Sequence, residues 1–124
     1  MKSKKIFLAF IILSIFLGCQ KNRTVPEDLL GVWKTSAPKY ADRSFEIKKD
    51  IIIFAIGEGK IDFYSITGVE KIREDDSILF TIFHENKEGQ EFKLSFYHYP
   101  EKDGIIRFKN QKQIKWIKDK GSPD

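Results

Sequence analysis

Two alternating apolar runs meet at Asn86-Lys87-Glu88-Gly89. Asn at the first place and Gly at the fourth are the residues a type I turn prefers, and Gly89 can take φ > 0 and form the bulge of a three-residue loop. Such a loop pairs 86 with 90, so 84 faces 92, 82 faces 94 and 80 faces 96. Ile78, Phe80, Ile82 and His84 then share one face with Phe92, Leu94, Phe96 and His98. The other face carries Thr81, Glu85, Glu91, Lys93 and Ser95, with Leu79, Phe83 and Tyr97 as its apolar members. A one-residue slip would put the two apolar sets on opposite faces, so the turn and the pattern select one register. A chain built around this hairpin has to bury one face of a sheet.

The rest of the chain reads the same way. After Cys19 there are 14 Ile and 8 Phe against 4 Leu and 3 Ala, which favours pleated strands over helices. No stretch of a dozen residues keeps a 3.6-residue period. Turn signals recur about every 8 to 12 residues, the spacing of a sandwich or barrel. Nine segments are predicted: Leu30–Thr35, Ser44–Lys48, Ile51–Ile56, Lys60–Ser65, Thr67–Arg73, Ile78–Glu85, Gln90–Tyr99, Ile105–Lys109 and Gln113–Lys118. The fourth and fifth can be one strand bent at Gly68. A two-residue turn at Lys49-Asp50 pairs Ile47 with Ile52 and Phe45 with Phe54. A similar turn at Glu58-Gly59 pairs Ile56 with Ile61 and Phe54 with Phe63. One inner face results: Phe45, Ile47, Ile52, Phe54, Ile56, Ile61 and Phe63. The expected fold is all-β, an antiparallel up-and-down meander closing into a small barrel of eight or nine strands, since closure removes the edges.

The start of the chain reads as an address. Lys2, Lys4 and Lys5 precede an apolar run from Ile6 to Leu17, interrupted only by Ser14. A run of about 12 residues is too short to span a bilayer as a helix, which takes roughly 20, and fits a secretory signal. Ile15-Phe16-Leu17-Gly18-Cys19 resembles a bacterial lipobox, in which the cysteine is lipidated and becomes the new N-terminus. That resemblance implies acyl chains, palmitate among them, on Cys19. Gln20, where Asp would imply retention at the inner membrane, implies the outer membrane as the destination. The other reading is an ordinary signal peptide with an incidental cysteine. The expected organisation is a signal over 1–18, a lipidated cysteine and flexible tether over 19–28, a barrel over 29–118 and a disordered tail over 119–124.

The single cysteine excludes an intramolecular disulfide framework, a zinc ribbon and a CxxC redox motif. The formal charge of +4 belongs mostly to the leader. Without it, 19 Lys and Arg stand against 18 Asp and Glu, and no argument for nucleic acid survives from net charge.

Gly31-Val32-Trp33 opens the first strand of the meander. Gly-x-Trp at that place is similar to the signature of the lipocalins and related calycins, which are up-and-down barrels. In that family the Trp packs across the closed end of the barrel and an Arg or Lys near the last strand covers it. The resemblance implies a barrel-closing set of Gly31, Trp33 and Arg107, with Lys115 the other choice for the cation. It also implies that the long first link, Thr35 to Arg43, closes over the open mouth. Tyr40 and Arg43 would then meet a ligand head group. The chain departs from ordinary lipocalins in its short length, in lacking a cysteine pair and in having no C-terminal helix.

Two functions remain open. In one, Phe54, Phe63, Phe80, Ile82 and Phe96 line a cavity that holds a small hydrophobic or amphipathic molecule. In the other, the barrel is filled by its own side chains and its outer surface binds an envelope or extracellular protein. Ile51, Ile53 and Ala55 make one strand apolar on both faces, which fits either a docking surface for a partner or the membrane or, the preferred reading, a strand covered by the Thr35–Arg43 link or by the tether. His84 and His98 fall on the inner face, six residues apart in register, or about 20 Å, too far for one metal or one catalytic dyad. No enzyme activity, metal or cofactor is expected. The acidic tip Glu74-Asp75-Asp76 reads as a solvated turn, and the Lys-rich end, Lys109 to Lys120, reads as an edge strand protected by its charges.

Overall fold

The computed structural model describes residues 20–22, 24–101 and 104–119. The signal, Cys19 and residues 120–124 of the expected tail lie outside the described residues. The strands are β1 (Gln20–Asn22), β2 (Gly31–Lys34), β3 (Ser44–Ile47), β4 (Ile51–Ala55), β5 (Ile61–Arg73), β6 (Ile78–Glu85), β7 (Glu91–Tyr99), β8 (Ile105–Phe108) and β9 (Gln111–Asp119). Every pairing is antiparallel. Each of β2 to β8 pairs with the next strand, and β9 returns to β2 through Val32↔Asp119, Trp33↔Lys118 and Lys34↔Ile117. The result is an eight-stranded up-and-down barrel, with β1 added outside the ring on β5.

The central hairpin has the expected register. Ile78 pairs with His98, Phe80 with Phe96, Ile82 with Leu94 and His84 with Phe92. Its turn closes by Gly89 N–H donating to the Asn86 carbonyl at 3.1 Å, with Gly89 at φ +83°. Asn86 Oδ1 accepts from the Glu88 and Gln90 amides, which locks the loop. The β3–β4 register is also as expected, with Phe45↔Phe54 and Ile47↔Ile52. The fourth and fifth segments form one strand, β5, with an irregularity between Ile66 and Gly68.

The β4–β5 register differs by one residue. Ile53, not Phe54, faces Phe63, and Ala55 faces Ile61. The cause is the turn. Ile56 N–H donates to the Lys60 carbonyl at 3.1 Å, so Gly57, Glu58 and Gly59 form a three-residue loop, all at positive φ. A two-residue loop at Glu58-Gly59 would have paired 56 with 61. Because side chains alternate, that one residue turns Ile61 and Phe63 outward and Tyr64 inward. Phe63 is 58% exposed and therefore is not a wall of the interior. Ile56 is likewise exposed, beside the turn.

The segment before the barrel also differs from expectation. It is not a free tether: Gln20–Asn22 pairs with β5 at Lys71, Glu70 and Val69. Val25 is buried, and a 3-10 turn at Glu27–Leu29 leaves Leu29 with no exposed surface.

Candidate functional site

One end of the barrel is closed by Trp33. Its ring is fully buried, and Nε1–H donates to the Leu29 carbonyl at 3.0 Å. The ring stacks on Phe45 at 6.3 Å and meets His98 edge-on at 6.1 Å. A cation does cover it, but it is Lys118, with Nζ 5.4 Å from the ring centroid. The Lys118 ammonium also donates to the Asp28 carbonyl at 2.8 Å. Arg107, expected in this role, points outward and donates from Nη1 to the Lys112 carbonyl at 2.6 Å. The register explains the exchange. Lys118 is the direct cross-strand partner of Trp33, whereas Arg107 faces Tyr97 on the outer side. Gly31 completes the set. It sits at φ +132°, and a Cβ there would lie 3.3 Å from Lys118 Cδ. The glycine lets the lysine stem cross the strand and bring its ammonium over the indole.

At the other end, His84, Tyr64, Phe92 and Phe54 form a second ring cluster. Tyr64 and His84 meet edge-on at 5.1 Å, and His84 stacks on Phe92 at 5.9 Å. Phe54 touches Tyr64 and His84. The link from 35 to 43 contains a short 3-10 helix, Pro38–Tyr40. Tyr40 packs against the core, and its hydroxyl accepts from Gln111 Nε2 at 3.1 Å. The Arg43 guanidinium lies 5.4 Å from the Tyr40 ring centroid. Tyr40 and Arg43 are therefore brought together, and the tyrosine hydroxyl is tied to β9.

Between the two ends the interior is occupied. Ile52, Ile82, Phe96 and Ile106 have no exposed surface. A side chain with no exposed surface borders no space that a water molecule could enter. Phe80 packs on Phe96 at 5.8 Å, and Phe45, Phe108 and Trp116 contact one another at 5.3 to 5.5 Å. Of the five residues expected to line a cavity, Phe80, Ile82 and Phe96 belong to this packed layer. Phe54 belongs to the ring cluster above it, and Phe63 is outside.

Burial lowers both imidazoles below the ordinary histidine value. For His84, Nδ1–H donating to the Ile82 carbonyl at 3.1 Å opposes the effect. For His98, the Asp28 carboxylate opposes it and the Lys118 ammonium adds to it. His98 Nε2 has no hydrogen-bond partner among the described residues, which suits an unprotonated nitrogen. The two histidines lie at opposite ends, and no group of three His, Cys, Asp or Glu converges among the described residues.

The outer surface carries apolar groups. Ile53 and Phe63 stand opposite each other, as do Ala55 and Ile61. An open groove of about 320 Å³ runs beside them, lined by Ile61, Asp62, Phe63, Tyr64, Asn86, Lys87 and Glu88. It exists because β5 pairs with β6 only from Ser65 onward. Ile61 and Phe63 join Ile53 and Ala55 on this surface, although the sequence pattern places both on the inner face. The glycine pair flanking Glu58 was the signal for the longer loop that adds them.

No protein-family model, curated protein or solved structure matches the chain.

Proposed function

We propose that this chain is a lipoprotein of the bacterial cell envelope, held at the outer membrane through Cys19. Its barrel, of lipocalin-like type, is a filled scaffold. It works by binding an envelope or extracellular protein on its outer surface, not by catalysis. The observation that carries this reading is the packed middle layer of Ile52, Ile82, Phe96 and Ile106. Lipocalin-like binding of a small hydrophobic or amphipathic molecule needs a connected void of about 300 Å³ or more, and these side chains occupy the place where it would lie.

The contact surface in this reading is the outward set of Ile53, Ala55, Ile61 and Phe63 with its groove. Exposed aromatic and aliphatic groups gathered on one face are what protein partners bury. Native mass spectrometry of the full chain taken from its membrane tests the filled interior. The expected mass is that of the lipidated chain with no further small molecule, and a stoichiometric adduct would restore the small-molecule reading. In cells, cross-linking to a partner is expected to be lost in Phe63→Glu and kept in Thr81→Glu. Equal cross-linking in both variants would remove this surface from the account.

A further inference from the structure

Barrel closure limits the simplest explanation of the Lys-rich end to part of one strand. Lysines on an edge strand guard unpaired backbone, and β9 pairs with β2 only over residues 117–119, so Lys112 and Lys115 lie on a stretch without a β2 partner. Lys93 and Arg107 lie on β7 and β8, which are paired on both sides, so edge protection does not account for them. Charge along the chain is also segregated. Residues 24–91 hold nine Lys or Arg against fourteen Asp or Glu, and residues 92–119 hold seven against three.

The fold collects these cations on one outer face. Lys93 lies over the Phe83 ring at 5.7 Å and Lys112 over the Tyr97 ring at 4.9 Å. Arg107 faces Tyr97 across β7 and β8. Lys109 N–H donates to the Ser95 carbonyl, which puts it beside the outward Thr81–Ser95 pair. Lys115 lies between the buried Ile114 and Trp116 and so points out. None of these five cations is in an ion pair among the described residues. The carboxylates of Glu70, Glu85 and Glu91 stand at the margins of the face, and Glu74, Asp75, Asp76 and Glu101 gather beside Arg73 at the end of β5, β6 and β7. Ammonium groups sit on the faces of Phe83 and Tyr97, so those rings are not open for base stacking.

The position of this face relative to the start of the domain matters most. Gln20, the residue after Cys19, is already in β1 and pairs with Lys71. Beside Lys71, an outward row runs Ile72, Leu79, Tyr97, Arg107 across β5 to β8. Four strand spacings, about 19 Å along the sheet, separate the start of β1 from Arg107. A lipid on Cys19 would have no spacer, and the barrel would rest on the head groups. We propose that it rests on them through the β7–β9 face, with Lys93, Arg107, Lys109, Lys112 and Lys115 against anionic phospholipid. Exposed Ile72 and half-buried Leu79 and Tyr97 lie at the lipid boundary. This orientation rests on the anchor proposed above. It points the Phe63 groove, at the opposite end of β5, away from the membrane.

Full-length protein in vesicles of phosphatidylcholine, alone or mixed with phosphatidylglycerol, tests both parts separately. Flotation with neutral vesicles in high salt reports the anchor. Amine acylation, read lysine by lysine by mass spectrometry, reports the face. Lys93, Lys109, Lys112 and Lys115 should react several-fold more slowly on the anionic vesicles, with Lys60 and Lys87 unchanged. High salt should abolish the difference. Flotation with equal acylation in both lipids would overturn the face and leave the anchor standing. Without flotation on neutral vesicles the anchor falls. Low-salt binding to anionic vesicles, lost on combining Lys109→Glu, Lys112→Glu and Lys115→Glu, would then uphold the face, and its absence would overturn it. Protection of these lysines by a soluble acidic polymer but not by vesicles would overturn it in favour of a soluble partner.

Discussion

Gly31 leaves room for Lys118, and Lys118 covers Trp33. These three residues close one end of the barrel, and each can be tested alone. Trp33→Ala removes a fully buried indole and should cost about 3–5 kcal/mol in urea unfolding. Gly31→Ala adds a Cβ at positive φ against the lysine stem and should cost about 1–3 kcal/mol. An alanine variant of unchanged stability would mean that the lysine does not cross there. The histidines give a pH dependence. Both have folded-state pKa values below their unfolded values, so the unfolded chain binds more protons as pH falls. Their contribution is fully present above about pH 6.5 and is lost as pH drops through the lowered folded values. Denaturant midpoints measured between neutral and mildly acidic pH should fall on acidification, and His84→Phe and His98→Phe should each flatten that fall. The Gly-x-Trp pair and the need for a cation were legible in the sequence. Which cation was not, because Lys115 and Lys118 both lie on β9, and which of them turns inward beside Trp33 depends on the extra residues β9 carries between its pairings with Ile106 and Phe108.

At the scale of elements, each hairpin depends on its loop. The Asn86–Gly89 loop could be read because Asn and Gly hold definite places in the turn, and the paired apolar runs checked the register. The loop after β4 misled because Gly57-Glu58-Gly59 allows two or three residues between strands, and apolar residues on both sides of β4 and β5 could not arbitrate. The outcome sets two side-chain substitutions apart. Phe63→Ser replaces an outward, exposed ring and should change stability by no more than about 0.5 kcal/mol. Ile52→Ala empties part of the packed layer and should cost about 2–5 kcal/mol. Thermal or urea unfolding ranks the two, and a Phe63→Ser loss as large as that of Ile52→Ala would put Phe63 inside and undo the register.

For the whole molecule, what matters is where the apolar groups go. An eight-stranded ring is just wide enough to be filled by side chains or to hold one small ligand. Here the large side chains of Trp33, Phe45, Phe80, Phe96, Phe108 and Trp116 meet inside it. The all-β class and closure were legible from composition, turn spacing and alternation. The docking of Gln20–Asn22, Val25 and Leu29 was not, because Val25 and Leu29 are isolated apolar residues in a polar stretch and carry no period. A barrel filled by its own side chains leaves no interior space for a gas atom, and xenon probes that space. Apolar cavities of about 150 Å³ take up xenon. A crystal of the protein pressurised with xenon should show no xenon site bounded by Ile52, Ile82, Phe96 and Ile106. An ordered xenon atom among those four side chains would contradict the account and return the barrel to the ligand-binding class.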